Sequence, residues 1–419
     1  MPTCTEALDK NSFFSNQNAP IDIISSTNAG RLALSSLSIP ASSHILSCPP
    51  FVISPFYSCR KELCMGCYTF TLDRLRFKCP GCPIWYCSRA CRALTLSFHS
   101  HYECAYILGI SKISEKWIDQ VVQKTIADDR ASKDSDRLKT LLSVYSKSDI
   151  QDLALWILNY IVRVHMESLV PLRESHLSQV QDLVSHYPHA SADERMQLQF
   201  LYDLLSVIPF SQSITTSWQS LLFAAFPNGH LDFGHLLGIR QSNGFGLWDT
   251  AGECLGIGLY PFASYFNHSC SPNLVRSTGL VNRDHLKAED VNARVQEKWR
   301  ASGISMEELC VDLDQVIANP SILSPIQSFK HVYALLPRVS FQALHNLEPK
   351  TPLTHSYIDL TLPLHERKSM LLEGYDFECL CDRCKMDDGA YLAMYLCDCG
   401  YVRDPYRACL KCGRLAKVQ

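Results

Sequence analysis

The feature that most constrains this chain is the spacing of its 20 cysteines. Most fall in tight groups: Cys64/Cys67, Cys79/Cys82, Cys87/Cys91, Cys379/Cys381/Cys384, Cys397/Cys399 and Cys409/Cys412. Two thiolates on one tight turn can reach a single tetrahedral ion, whereas a disulfide has no need of that spacing. A disulfide framework belongs to short exported chains, and this chain has 419 residues and opens without a basic and apolar leader. No run approaches the ~20 apolar residues needed to span a bilayer. The sequence therefore predicts a zinc-binding protein of the nucleus, the cytoplasm or both. Charge is nearly balanced, with 39 Lys+Arg against 42 Asp+Glu, which excludes a broad cationic field for nucleic acid.

Along the chain, residues 1–20 are rich in Ser, Asn, Thr and Pro without period and read as a disordered tail. Short apolar runs at Ile21–Ile24, Leu32–Leu34, His44–Leu46 and Phe51–Ile53 read as strands. From about Ser111 to Phe226 apolar residues recur at helical spacing, as in Leu153, Trp156, Ile157, Tyr160 and Val164, and three to five helices are expected. Ser191-Ala192-Asp193-Glu194 is a capping box for one of them. Strand chemistry returns at Gly244–Trp248 and Gly256–Tyr260. Asn273 to Pro337 is more polar, with little strand character and one helix expected from Ser305 to Ala318. A strand at Arg338–Phe341, another at Thr354–Ile358 and a helix over Pro363–Gly374 follow.

Between residues 64 and 104, six cysteines, Cys104 and either His99 or His101 supply eight ligands, enough for two zinc sites. So short a segment cannot bury enough apolar surface to fold alone, and metal supplies the deficit, on the order of 10 kcal/mol per site. This order resembles the MYND zinc finger. The resemblance implies that Cys64, Cys67, Cys87 and Cys91 share one ion, and that Cys79, Cys82, a histidine and Cys104 share another. The MYND pattern ends His-x3-Cys, but Ser100 occupies that position; the distance from Cys91 matches the pattern for His99.

Asn267-His268-Ser269-Cys270-Ser271-Pro272-Asn273, preceded by Gly258-Leu259-Tyr260-Pro261, resembles the core signature of SET-domain methyltransferases. Ser356-Tyr357 and then Tyr375–Cys384 match the later SET and post-SET motifs in the same order. The whole is similar to the SET–MYND (SMYD) family of protein-lysine methyltransferases, in a short, fungal-like form without the long helical C-terminal domain. That resemblance implies an α+β architecture. A β-rich SET fold with a pseudoknot (residues 21–357) is interrupted by the finger (64–104) and a helical insert (105–228). An extra surface insertion (274–337), a post-SET zinc motif (374–384) and a Cys-rich tail (385–419) complete it.

The activity implied is transfer of a methyl group from S-adenosylmethionine to a lysine of a protein substrate, histone or other. Tyr357 is the implied catalytic residue. Ala29, Gly30, Asn243, Asn267, His268, Tyr357 and Phe377 are the implied cofactor-binding residues, and Phe245, Tyr260, Ser264 and Tyr375 the implied channel wall. His186 reads as a surface residue. Cys379, Cys381 and Cys384 supply only three ligands, and Cys270, without a near neighbour of its own, completes a Cys4 site. Cys397, Cys399, Cys409 and Cys412 are ligands for a further ion, so three zinc ions are expected, or four if that last set is loaded.

The family's Gly-x-Gly-Leu-x-Ala is matched only by Asn28-Ala29-Gly30-Arg31-Leu32-Ala33, with a single glycine. That departure leaves a second reading: an inactive zinc scaffold whose finger binds proline-containing peptides.

Overall fold

The computed structural model describes residues 19–26, 30–71, 75–128, 145–169, 177–208, 212–249, 252–278, 281–282, 313–386, 397 and 414. Helices and strands form two units. One comprises the chain up to Cys48, Pro261–Ser277 and Val339 onward; the other comprises Pro49–Tyr260 and Thr278–Arg338.

The first unit is built from small sheets. Ile21–Ser26 and Gly30–Ser35 form an antiparallel hairpin in which Ile21 faces Ser35 and Ser26 faces Gly30. Gly30 has φ +62°, which explains a glycine where the chain re-enters the ladder. A three-stranded sheet follows the order Leu274–Thr278, Val339–Ala343, His44–Cys48. Val339, Phe341 and Ala343 alternate inward, the period expected of a strand with one covered face. Asn267–His268 runs parallel to Thr354–His355 in a two-residue ladder. The helix Leu364–Tyr375 ends where Asp376 adopts a left-handed conformation, φ 57°.

The second unit has a three-stranded antiparallel sheet with Cys254–Leu259 between Val52–Pro55 and Gly244–Trp248. A Cβ at Gly256 would come within 2.5 Å of the Ser54 carbonyl, so close pairing there requires glycine. Helix Lys147–Leu169 buries Trp156, Ile157 and Ile161 in the apolar core. Its Arg163 is also buried, pairing with Glu167 at 3.1 Å and lying 4.6 Å from the Tyr333 ring centroid.

From Ser111 to Phe226, where three to five helices were expected, the described residues hold five α-helices: Glu115–Asp128, Lys147–Leu169, Leu177–Gln181, Ala192–Ser206 and Gln212–Ala225. The Ser191–Glu194 capping box is present. The surface excursion expected at 274–337 needs correction. Leu274–Thr278 is a strand, and Pro325–Leu335 is a core helix. Ser324 and Gln327 form its capping box, with Pro325 in the first turn. Phe329, Val332 and Tyr333 are buried, Phe329 meets Phe98 at 5.2 Å between ring centroids, and Ser328 donates to the Leu94 carbonyl. Its polar flanks hid this apolar stripe. The helix expected from Ser305 falls largely outside the described residues, which include only Leu313–Ala318 of it.

Candidate active site and metal centres

In the finger, sequence order and local turns bring two groups of four side chains together. Cys64, Cys67, Cys87 and Cys91 are all buried, with ligand atoms within 4.8 Å of one another; Cys79, Cys82, His99 and Cys104 form the second such group. Backbone N–H groups of Gly66 and Cys87 donate to Cys64 Sγ at 3.4 and 3.3 Å. Such donors stabilise thiolate charge. Helix Arg89–Tyr102 starts at Ser88, whose hydroxyl accepts from the Cys91 N–H, so one cap also fixes a candidate ligand.

His99 faces the second group, with Nε2 3.2 Å from Cys82 Sγ, whereas His101 is exposed and meets the Tyr102 ring edge-on. The other ring nitrogen of His99 lies 2.9 Å from a Glu103 carboxylate oxygen. A carboxylate behind a ligating histidine fixes its tautomer and raises its basicity. Glu103 escaped the sequence reading, although its i,i+4 spacing from His99 was the available signal.

A third group joins Cys270 to Cys379, Cys381 and Cys384 in the first unit. Cys270 and Cys384 sulfurs are 3.6 Å apart. Hydrogen bonds shared with Cys379 and Cys381, together with burial, push the Cys270 thiol up, while Cys270 and Cys379 hold Cys381 down. Four sulfurs this close ionise together only around a cation. All three groups have the donor chemistry of tetrahedral zinc. Of the last proposed set, Cys397 is buried, and Cys399, Cys409 and Cys412 lie outside the described residues.

The turn carrying Cys270 also carries the Asn-His motif. Asn267 Nδ2 donates to the Arg31 carbonyl at 3.0 Å, tying the motif to the strand that begins at Gly30. Ala29 lies outside the described residues. The buried Asn273 closes the other end of the turn. Its Nδ2 donates to Pro352 O at 2.7 Å, and its Oδ1 accepts from Thr354 N–H at 2.8 Å. That buried amide, with both ends in use, is a positioning feature the sequence reading did not single out.

His268 Nδ1 accepts the Tyr357 N–H at 3.1 Å, and Nε2 lies 3.2 Å from Cys270 Sγ. The neutral ring therefore carries its proton on Nε2. Burial lowers the His268 pKa to about 4, with Arg367 adding to the effect against Cys381, so the ring is neutral at pH 7. Tyr357 sits two residues past the short strand Thr354–His355, and its hydroxyl donates to Phe266 O at 2.9 Å. Burial, then the neighbouring Tyr375, pushes its pKa up, and the phenol stays protonated. Rings of His355, Tyr375 and His268 surround it with centroids at 5.0, 4.8 and 5.3 Å. Tyr375 and Phe377 remain half-buried, with Phe377 6.1 Å from the His268 ring. Ser264 is half-buried in the turn Ala263–Tyr265.

Asn243, Phe245 and Tyr260 belong to the second unit. Asn243 Nδ2 donates to the Val184 and Ile239 carbonyls, both at 2.9 Å. Phe245 is buried edge-on to Tyr260, whose hydroxyl donates to Pro337 O at 2.7 Å. His186 is half-buried at the start of the turn Tyr187–His189. No helix of the described residues is long and apolar enough to cross a membrane.

No family model matches the chain. It is 22% identical over 389 residues to a SET and MYND domain-containing protein of Dictyostelium discoideum, covering 89% of this chain and 84% of that one. Human histone-lysine N-methyltransferase SMYD1 is 25% identical over 226 residues, 53% of this chain and 35% of its own length. Arabidopsis thaliana histone-lysine N-methyltransferase ASHR1 is 22% identical over 364 residues, 84% of this chain and 54% of its own. The chain thus spans only about a third to a half of these two methyltransferases. Motif order, the three Cys/His groups and these likenesses agree: the chain is similar to SET and MYND domain-containing proteins along most of its length.

Proposed function

We propose that the chain is a protein-lysine N-methyltransferase that uses S-adenosylmethionine, with the Asn267–His268 turn as cofactor site and Tyr357 as catalytic residue. One observation carries the reading: the backbone of Tyr357 donates to His268 while its hydroxyl donates to Phe266 O, so two motifs 89 residues apart form one constellation. The groups present suit the cofactor. Half-buried rings of Tyr375 and Phe377 beside a neutral histidine offer apolar faces for an adenosine. The Tyr357 hydroxyl and the Phe266 carbonyl offer oxygens for a cationic centre.

Bound S-adenosylmethionine would supply a methyl group on a sulfonium. The chain's own task is then to orient, desolvate and accept hydrogen bonds. Gly30, Asn267, His268 and Phe377 hold the cofactor in this reading. The Tyr357 hydroxyl donates to Phe266 O and keeps lone pairs for an incoming amine. That amine must be neutral to attack, and an apolar channel favours the neutral form by desolvation. Ser264 and Tyr375 are the first unit's proposed contribution to that wall.

The pseudoknot, the domain limits, a proline-containing peptide partner for the finger, a fourth ion at the last cysteines, and a nuclear or cytoplasmic site of action belong to the same reading. Calorimetry on zinc-loaded protein tests it, followed by transfer of labelled methyl to a peptide array. Saturable cofactor binding and labelled lysine are expected. A folded, zinc-replete protein that neither binds nor transfers is the inactive scaffold, and the enzyme reading fails.

A further inference from the structure

A cavity of about 370 Å³ opens on the second unit where four segments of chain meet. Its volume falls in the range of small-molecule sites, roughly 300–1,000 Å³. The wall is formed by the turn Tyr57–Lys61, by Ser111 at the end of helix Cys104–Ile110, and by the first turns of helices Glu115–Asp128 and Lys147–Leu169. None of the candidate metal or cofactor residues lines it. Apart from the Tyr57 ring, every lining side chain is polar or charged, so the cavity suits a charged ligand.

Two of those side chains are cations. Arg60 is half-buried and held in place: its guanidinium carbon lies 4.3 Å from the Tyr57 ring centroid, and its Nη1 donates to Tyr57 O at 2.8 Å. The Nε–Nη2 edge of its fork has no acceptor among the described residues, and Nε is shielded from water. A shielded donor left unpaired is costly, and an incoming oxygen would remove that cost. Lys147, also half-buried, makes no ion pair among the described residues.

The neighbouring acids serve their own helices. Asp149 accepts the Ser146 N–H at 2.9 Å, and Ser146 Oγ accepts the Asp149 N–H at 3.3 Å, closing the start of helix Lys147–Leu169. Glu115 is the first residue of its helix, where the dipole favours a carboxylate. Gln151, only 5% exposed, uses its Nε2 on the Ile110 carbonyl at 3.0 Å, and its amide oxygen has no donor among the described residues.

We propose that this cavity binds a phosphate monoester. Arg60 takes two phosphate oxygens through its Nε–Nη2 edge, Lys147 pairs with the remaining charge, and Glu115 and Gln151 accept hydroxyl or amine hydrogens from the esterified body. A phosphate monoester carries about two negative charges at pH 7, which match the two cations. A carboxylate would leave one cation unmatched, and the guanidinium fork suits phosphate geometry. The site is independent of methyl transfer and of the metal groups.

The test is calorimetric titration of the full, zinc-loaded chain with O-phosphoserine, glucose 6-phosphate, inorganic phosphate and acetate. Saturable binding of one phosphate ester per chain is expected, with acetate much weaker. Preference for O-phosphoserine would point to a phosphorylated side chain as the source, and preference for glucose 6-phosphate to a free sugar ester; either supports the site. Arg60→Gln and Lys147→Gln should each weaken ester binding by about 10- to 100-fold, the loss expected for hydrogen bonds to a charged group. Zinc content should be unchanged in both. A parent that binds neither ester saturably overturns the proposal. Binding that either variant keeps at parental strength also overturns it, as does acetate binding as tightly as inorganic phosphate. If Arg60→Gln does not fold, Lys147→Gln, at the start of its helix, decides by the same criteria.

Discussion

In the finger, all eight candidate ligands come from the run Cys64–Cys104, while the Cys270 group takes one thiol from the Asn-His turn and another, Cys384, from 114 residues further on. The finger's sulfurs are mostly buried among apolar side chains of their own unit, and its histidine is backed by Glu103. The Cys270 group is half-exposed at Cys381 and Cys384 and touches His268. The same donor set thus serves two ends. Within a short run it is embedded in an apolar core; across a long gap it brings the Asn-His turn to a distant segment.

The largest expected effect separates those ends. Cys64→Ser should unfold the finger, since each structural ion contributes on the order of 10 kcal/mol to folding. It should leave cofactor affinity in the rest of the chain nearly unchanged. Cys270→Ser should weaken cofactor binding as well as metal binding. Metal analysis with calorimetry on both variants checks this, and equal loss of cofactor affinity in both would erase the distinction.

A smaller change probes the chemical turn alone. Tyr357→Phe deletes one hydroxyl, leaving the backbone donor to His268 and the zinc content intact. Methyl transfer should fall by about 10²-fold or more, because misalignment at a reacting centre is that costly. A variant that transfers as fast as the parent would return Tyr357 to the role of packed aromatic.

The smallest effect concerns the finger's support. Ser324→Ala removes the cap of helix Pro325–Leu335, which packs on Arg89–Tyr102 through Phe329 and Ser328. About 1 kcal/mol of stability should be lost in denaturant unfolding. Loss of zinc from the Cys270 group in that variant would contradict the separation drawn above.

Much of the fold was legible where a period had room to repeat. The strand expected at Arg338–Phe341, found as Val339–Ala343, and the capping box at Ser191 appear in the structure. Helix Pro325–Leu335 was missed although Ser324, Pro325 and Gln327 spell its start, because the polar composition around it outweighed the stripe Phe329, Val332, Tyr333. A helical stripe also distinguishes the two histidines: Cys91, Thr95 and His99 are buried at four-residue spacing, and His101 lies off that face. The two-residue ladder of Asn267–His268 with Thr354–His355 is too short for any period to announce. Arg163, Arg367 and Arg383 were unreadable for a different reason. A buried arginine differs from an exposed one only through what surrounds it, and those surroundings come from distant parts of the chain.

Helix Arg89–Tyr102 carries Cys91 in its first turn and His99 in its last. These residues belong to different metal groups, about 12 Å apart along the axis at 1.5 Å per residue. The helix is therefore a strut between two candidate metal groups. An ion bound at one group would fix one end of the strut and lower the entropy of forming the second geometry. Cooperative loading is the expected consequence, with loss of one ion slackening the grip on the other.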